Sequence, residues 1–278
     1  MKKITVVFDG LRLSESALQY AIFLGKKVSA HISALFLDDF TYNSYNMYQL
    51  IREGASENEV RDFDLRDRTQ RGTAGRYVEA ALQQAGLSCS IHHGGNIAIQ
   101  DVLEDSVYSD LIIVDIHESF TQEKKLPPTR FMRDLLTDTQ CPVLIIPSTY
   151  REISKAILLY DGEPSSVYAI KMAGYLLPWI NRLPAEVLSI NNKEAVEQLN
   201  DNRLMDEFMQ TYFPAAPIKV MQGPPETVIV DQLKEQEPGT MVILGAYRRS
   251  AVSRFFRMSM ADVLMSNLQL PLFIAHNK

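Results

Sequence analysis

The sequence predicts an α/β protein built from two tandem domains, each with a five-stranded parallel sheet. Three observations carry that reading. The 278 residues are about what two compact domains need. Short apolar runs alternate with amphipathic stretches, the pattern of strands and crossover helices in a parallel sheet. The whole pattern then occurs twice. KKITVVFDGLRLSESALQYAIFLGKKVSAHISALFLDD is repeated in outline by SKAILLYDGEPSSVYAIKMAGYLLPWINRLPAEVLSINN, and SDLIIVDIHES and CPVLIIPS reappear as GTMVILGAYRR and LPLFIAHN.

Taken in order, Ile4–Phe8 is a short apolar run entering an Asp-Gly turn, as a buried parallel strand does. Ser14–Val28 follows at helical spacing with Ser14 at the N-cap. Further strands are expected at Ile32–Leu37, Ser88–His92, Leu111–Val114 and Val143–Ile146, with a helix at Ile97–Tyr108. The second copy offers strands at Ala156–Tyr160, Glu186–Ile190, Ile218–Met221, Met241–Leu244 and Leu272–Ala275. Its helices fall at Ser165–Leu177, with Ser165 as the N-cap, and at Glu226–Gln236. Asp9 and Asp161 lie 152 residues apart but Pro142 and Pro271 only 129, so the first copy carries about 23 extra residues, mainly within Phe40–Gly75. That insertion is expected on the surface, with a helix from about Glu57 onward. The junction PSTYREISK is short and polar, which puts the domains at 1–150 and 151–278 and packs them closely.

Composition excludes several classes. An apolar fraction of 46% with 22% charged residues is that of an ordinary folded chain. A net charge of -6 removes the electrostatic basis for general nucleic-acid or anionic-membrane binding. Two cysteines without a CxxC spacing supply neither a disulfide framework nor a thiolate metal site. Ile4–Phe8 is too short for a signal-peptide core, and no apolar run reaches the roughly 20 residues of a spanning helix, so a cytoplasmic location is expected.

Two features are candidates for binding. The Asp-Gly pairs, Asp9-Gly10 and Asp161-Gly162, put a carboxylate at a strand end, where it either accepts hydrogen bonds from a ligand or simply makes a turn. The loop GAYRRSAVSRFFRMSMADVL carries Gly245, Arg248, Arg249, Arg254, Arg257 and Ser259 before its first acid, Asp262. Uncompensated guanidiniums leading into a helix N-terminus suit an anion. The competing reading is a basic surface pairing with the first copy, whose net charge is -5 against -1 for the second. His92 and His93 would need a third ligand, such as His117 or Asp115, to hold a metal. Cys89 and Cys141 read as small core residues and Trp179 as packing. No Ser/His/Asp set, HExxH or Gly-rich GKS loop appears, so positive evidence for catalysis is absent.

Two copies of strand, Asp turn and helix, with a Gly-led loop and Ser before a terminal helix in the second and a CPVL-like last strand in each, resemble the universal stress protein family in its tandem form. The resemblance covers nearly the whole chain. It implies Rossmann-like domains of the adenine nucleotide alpha-hydrolase type, a cytoplasmic role in the stress response, an internal pseudo-dimer of the two domains and, in some members, bound ATP. The family pattern is an Asp after strand one and, after strand four, G-x-x-G, nine residues, then G-[ST]. Carried over, Asp161 and Gly162 would stand near the adenosine, and Gly245, Arg248, Arg249 and Ser259 near the phosphates. Arg248 and Met258 replace glycines, which breaks the backbone cradle and leaves arginine forks to hold phosphate. In the first copy Asp115 and Glu118 occupy the glycine positions and repel phosphate. The leading expectation is therefore a non-catalytic protein whose second domain binds ATP or another adenine nucleotide weakly, with no cofactor required and an unknown protein partner. A scaffold or small-ligand sensor that binds no nucleotide is the alternative, and a nucleotide hydrolase ranks last.

Overall fold

A computed structural model describes residues 1–38, 42–122, 125–191, 203–245 and 259–276. The first half contains β1 (Lys3–Phe8), α1 (Glu15–Val28), β2 (His31–Phe36), α2 (Met47–Arg52), α3 (Glu57–Gln84), β3 (Cys89–His93), α4 (Ala98–Val107), β4 (Leu111–Asp115), α5 (Arg130–Asp138) and β5 (Val143–Ile146). The second contains β6 (Lys155–Leu159), α6 (Pro164–Leu176), a 3-10 turn at Pro178–Arg182, β7 (Ala185–Asn191), α7 (Arg203–Tyr212), β8 (Ile218–Gln222), α8 (Pro225–Lys234), β9 (Thr240–Gly245), α9 (Met260–Asn267) and β10 (Leu272–Ala275). Every strand expected from the apolar runs is present, and Leu272–Ala275 and Val143–Ile146 have the expected bounds.

The strands form one ten-stranded sheet in the order β3-β2-β1-β4-β5-β10-β9-β6-β7-β8. Each half is parallel throughout, with the order reversing between β1 and β4 and again between β6 and β9. The halves meet where β5 and β10 pair antiparallel, Leu272 opposite Ile145, Phe273 opposite Leu144 and Ile274 opposite Val143. Leu144 and Phe273 are equivalent positions of the two copies, so this seam has local two-fold symmetry.

The central strands are buried on both faces and are continuous apolar runs rather than alternating ones, whereas the edge strands β3 and β8 are partly exposed and mix polar residues in. One core packs α1, α3, α6 and α7 on one face, and a second packs α4, α5, α8 and α9 on the other. Both cores cross the seam. Trp179, expected to pack, meets the first half edge-on at Phe23 with ring centroids 5.3 Å apart. Tyr150 of the junction packs on Tyr20 of α1 at 4.9 Å.

Two expectations change. The N-cap position of α6 is Glu163, whose side chain makes no capping bond, rather than Ser165, because Pro164 occupies the first helical position with its fixed φ and pulls the start forward. The insertion is not wholly superficial: α3 begins at Glu57 as expected, but Tyr42 is 2% exposed and Tyr45 is also buried.

Candidate functional site

In the first half, a cleft of about 490 Å³ opens at the carboxyl ends of β1 and β4, lined by Asp9, Arg12, Ser14, Asp115, His117, Glu118 and Ser148 among others. Parallel α/β sheets take ligands where their strand order reverses, and this cleft lies at the reversal. Its carboxylates are spoken for by the fold. Asp9, 3% exposed, accepts from the Leu11 amide at 2.8 Å through Oδ1 and from the Tyr42 phenol at 2.9 Å through Oδ2. Asp115 accepts from the Ser14 hydroxyl at 2.7 Å, the Ser148 hydroxyl at 3.2 Å and the His117 amide at 2.9 Å. Ser14 also accepts from the Ala17 amide as the N-cap of α1, so Asp115 reinforces that cap and places negative charge at the helix N-terminus.

Glu118 is the third acid. Burial, with Asp9 and Asp115 as neighbours, pushes its carboxyl well above the usual range and outweighs the opposing Arg12 guanidinium. The protonated form is thereby favoured, which lessens the negative charge that a residue count assigns to this cleft.

Ser148, His117 and Asp115 form a Ser/His/Asp constellation that no linear motif announces. Ser148 Oγ lies 2.9 Å from His117 Nδ1. With the serine hydroxyl donating to Asp115, the histidine N–H donates to the serine, and the order is His–Ser–carboxylate. Activating a serine nucleophile needs the imidazole between hydroxyl and carboxylate, with one ring nitrogen for each. Here serine and carboxylate approach the same nitrogen, so the set ties loops together instead of relaying a proton.

A strap crosses this end of the first half. Arg71 of α3 donates to the Tyr42 carbonyl at 2.6 Å, and its own Cβ and Cγ leave no room for a side chain at Gly10. Asp67 accepts from the Ser44 amide at 2.8 Å and from its hydroxyl. Asp64 takes the Tyr45 hydroxyl at 2.6 Å, and the Gln122 amide donates to the Tyr45 carbonyl. Arg12 lies 5.5 Å over the Tyr42 ring and bonds the carbonyls of Thr121 and Gln122. The sequence reading missed this strap. Its legible trace was Asp64, Asp67 and Arg71, spaced to fall on one face of a helix.

In the second half, β6 and β9 are neighbours, so the topology brings Asp161, Gly162 and Gly245 to one edge of the sheet, with Ser259 at the head of α9. Asp161 is exposed and accepts from the Glu163 amide at 3.0 Å, a turn that Gly162 completes at φ +82°. Gly162 also lines an open groove of about 470 Å³ with Tyr160, Tyr168, Lys171, Leu204 and Phe208. Gly245 has a packing reason to be glycine: a Cβ there would lie 2.5 Å from the Ser165 backbone at the start of α6. Ser259 caps α9 by accepting from the Ala261 amide at 3.3 Å. Arg248, Arg249, Arg254, Arg257 and Met258 lie outside the described residues.

The histidines and cysteines go elsewhere. His93 bonds Asp38 at 2.8 Å and His92 bonds Ser90 at 3.0 Å, both away from the cleft that holds His117 and Asp115. Among the described residues, no group of three or more His, Cys, Asp or Glu is placed to hold a metal ion. Cys141 is buried, and burial pushes the half-buried Cys89 thiol up from its ordinary value. No described helix is long and apolar enough to cross a membrane.

No protein-family model and no curated protein matches the chain. Solved structures do. A universal stress protein from Archaeoglobus fulgidus DSM 4304 superposes with a TM-score of 0.69 at 16% identity, covering 99% of this chain and 98% of that one. A functionally unknown protein from Pseudomonas aeruginosa PAO1 gives 0.61 at 17% identity, covering 99% of this chain and 92% of that one. The cytoplasmic domain of a prokaryotic cation chloride cotransporter gives 0.53 at 10% identity, covering 99% and 95%. The chain thus has the tandem Rossmann-like α/β fold found in a universal stress protein, as the sequence resemblance implies.

Proposed function

We propose that the chain is a tandem universal stress protein that acts without catalysis in the cytoplasm. Its second domain holds an adenine nucleotide weakly, and the occupied and empty states of the internal pseudo-dimer differ in how they meet a protein partner. The observation that carries the assignment to the second half is the contrast between the two strand-end aspartates. Asp9 is buried with both oxygens engaged, whereas Asp161 is exposed and its neighbours Tyr160 and Gly162 line an aromatic groove. Asp161 is the carboxylate accessible to the polar edge of a nucleoside, and Arg248 and Arg249, which come after Gly245 in the sequence, are the counter-charge for phosphate in this reading. The reversed order of Ser148 and His117 at Asp115 supports a role without catalysis.

Calorimetric titration of ATP into the full chain tests this. The expected affinity is micromolar or weaker, about -8 kcal/mol at best. Asp161→Ala should abolish the heat, and Arg248→Ala combined with Ser259→Ala should weaken it at least about tenfold. Binding that survives these changes but disappears in a folded Asp9→Asn variant would move the site to the first half.

A further inference from the structure

Tyr42 has no counterpart in the repeated part of the sequence, since it comes from the insertion, yet it ends on Asp9, the carboxylate that follows β1 and borders the cleft together with Asp115. Asp9 lines that cleft and Tyr42 does not, so with the phenol absent Oδ2 is an acceptor open to a ligand in the cleft. The cleft sits at the reversal of strand order, and about 490 Å³ is enough for a nucleoside-sized molecule. A buried carboxylate needs donors on both oxygens. The Leu11 amide serves Oδ1 through the turn itself, and the phenol serves Oδ2 in place of a donor from outside.

We propose that Tyr42 is the specificity-determining residue that keeps ligands off Asp9, standing in for a nucleoside's hydrogen-bond donor and so confining nucleoside binding to the second half. The inference rests on the reading of a strand-end aspartate as the nucleoside contact. A ligand reaching Asp9 must displace the phenol, which then loses its buried acceptor. It must also move a segment tied down by Arg71 at the Tyr42 carbonyl, by Asp67 at Ser44 and by Asp64 at Tyr45. The neighbouring Asp9 and burial both hold the phenol in its protonated, donating form, so the contact persists across the physiological pH range. If Tyr42 merely filled space in the core, its removal would cost stability and gain nothing.

Adenosine, which carries no phosphate for Asp115 to repel, is the probe. It is titrated calorimetrically into the full chain carrying Asp161→Ala, alone and combined with Tyr42→Ala or Tyr42→Leu. The leucine variant keeps apolar contacts with the surrounding cluster while removing the phenol, so it serves if alanine prevents a cooperative melt. Asp161→Ala alone should bind adenosine below the detection limit of the titration, which sets the lower bound for the comparison. Adding either Tyr42 change should raise affinity by at least about tenfold, and adding Asp9→Asn should abolish that gain. Folded Tyr42 variants that bind no better than Asp161→Ala overturn the proposal. Should Asp161→Ala bind like the unaltered chain, the second-half assignment fails by itself. The Tyr42 comparison is then read as a gain over the unaltered chain that Asp9→Asn removes, and its absence overturns the proposal.

Discussion

Glu118 and Asp110 pull the pH dependence of stability in opposite directions. For Glu118, burial beside Asp9 and Asp115 raises the folded-state value, so the folded chain holds a proton that the unfolded chain has released above about pH 4.3. Stability from that proton is complete at low pH and is lost as pH rises through the folded value. Glu118→Gln should therefore melt higher than the unaltered chain at pH 8 by a few degrees, about 2–4 °C for each kcal/mol, with little difference at pH 4. Thermal melts at the two pH values decide it, and parallel curves would refute it. For Asp110, burial opposes ionisation, but the amides of Lys3 and Lys2 outweigh it and hold the carboxyl low. Its contribution is present above about pH 3.9 and disappears as pH falls through the folded value. These environments are not legible residue by residue. Asp9 and Asp161 occupy the same place in the repeat and look alike in sequence, yet one is sealed by a tyrosine 33 positions away. Likewise, counting Glu118 as a charge overlooks what burial does to it.

Among the elements, α3 shows how much local chemistry can announce. Ser56 and Glu59 make a reciprocal capping box that starts the helix, and both are visible in the sequence. The first turns of α3 bury nothing before Asp67, so their order depends on that box and on the strap. Ser56→Ala should cost about 1 kcal/mol locally. Hydrogen exchange should speed up at residues 57–66 while the global melting temperature barely moves, and a uniform loss of protection would contradict this. The start of α6 was harder to place, because Ser165 is a good cap by residue type while Glu163 owes its position to Pro164. Gly245 fits a phosphate loop and a close strand-to-helix approach equally well in sequence, and only the 2.5 Å separation reveals the second. Gly245→Ala should overpack that junction and destabilise the chain by about 1–3 kcal/mol in denaturant melts, with or without nucleotide.

At the scale of the whole molecule, the seam joins the two equivalent last strands that the repeat supplies, both apolar throughout. Leu144 and Phe273 are both fully buried there. Cutting the chain at the junction would leave β5 of the first half with an unpaired edge. A 1–150 fragment should therefore associate with itself through β5 in place of β10, giving twice the fragment mass in sedimentation; a well-behaved monomer would show that the seam is dispensable. The antiparallel seam also sets the polarity of everything beyond it. Since β5 and β10 run in opposite directions and each half is internally parallel, the carboxyl ends of β1 and β4 and those of β6 and β9 emerge at opposite rims of the sheet. The two strand-order reversals are four strand spacings apart, about 19 Å across the sheet, and a strand length apart along it. The sheet thus carries one strand-order reversal on each rim, and a small molecule bound at one does not reach the other.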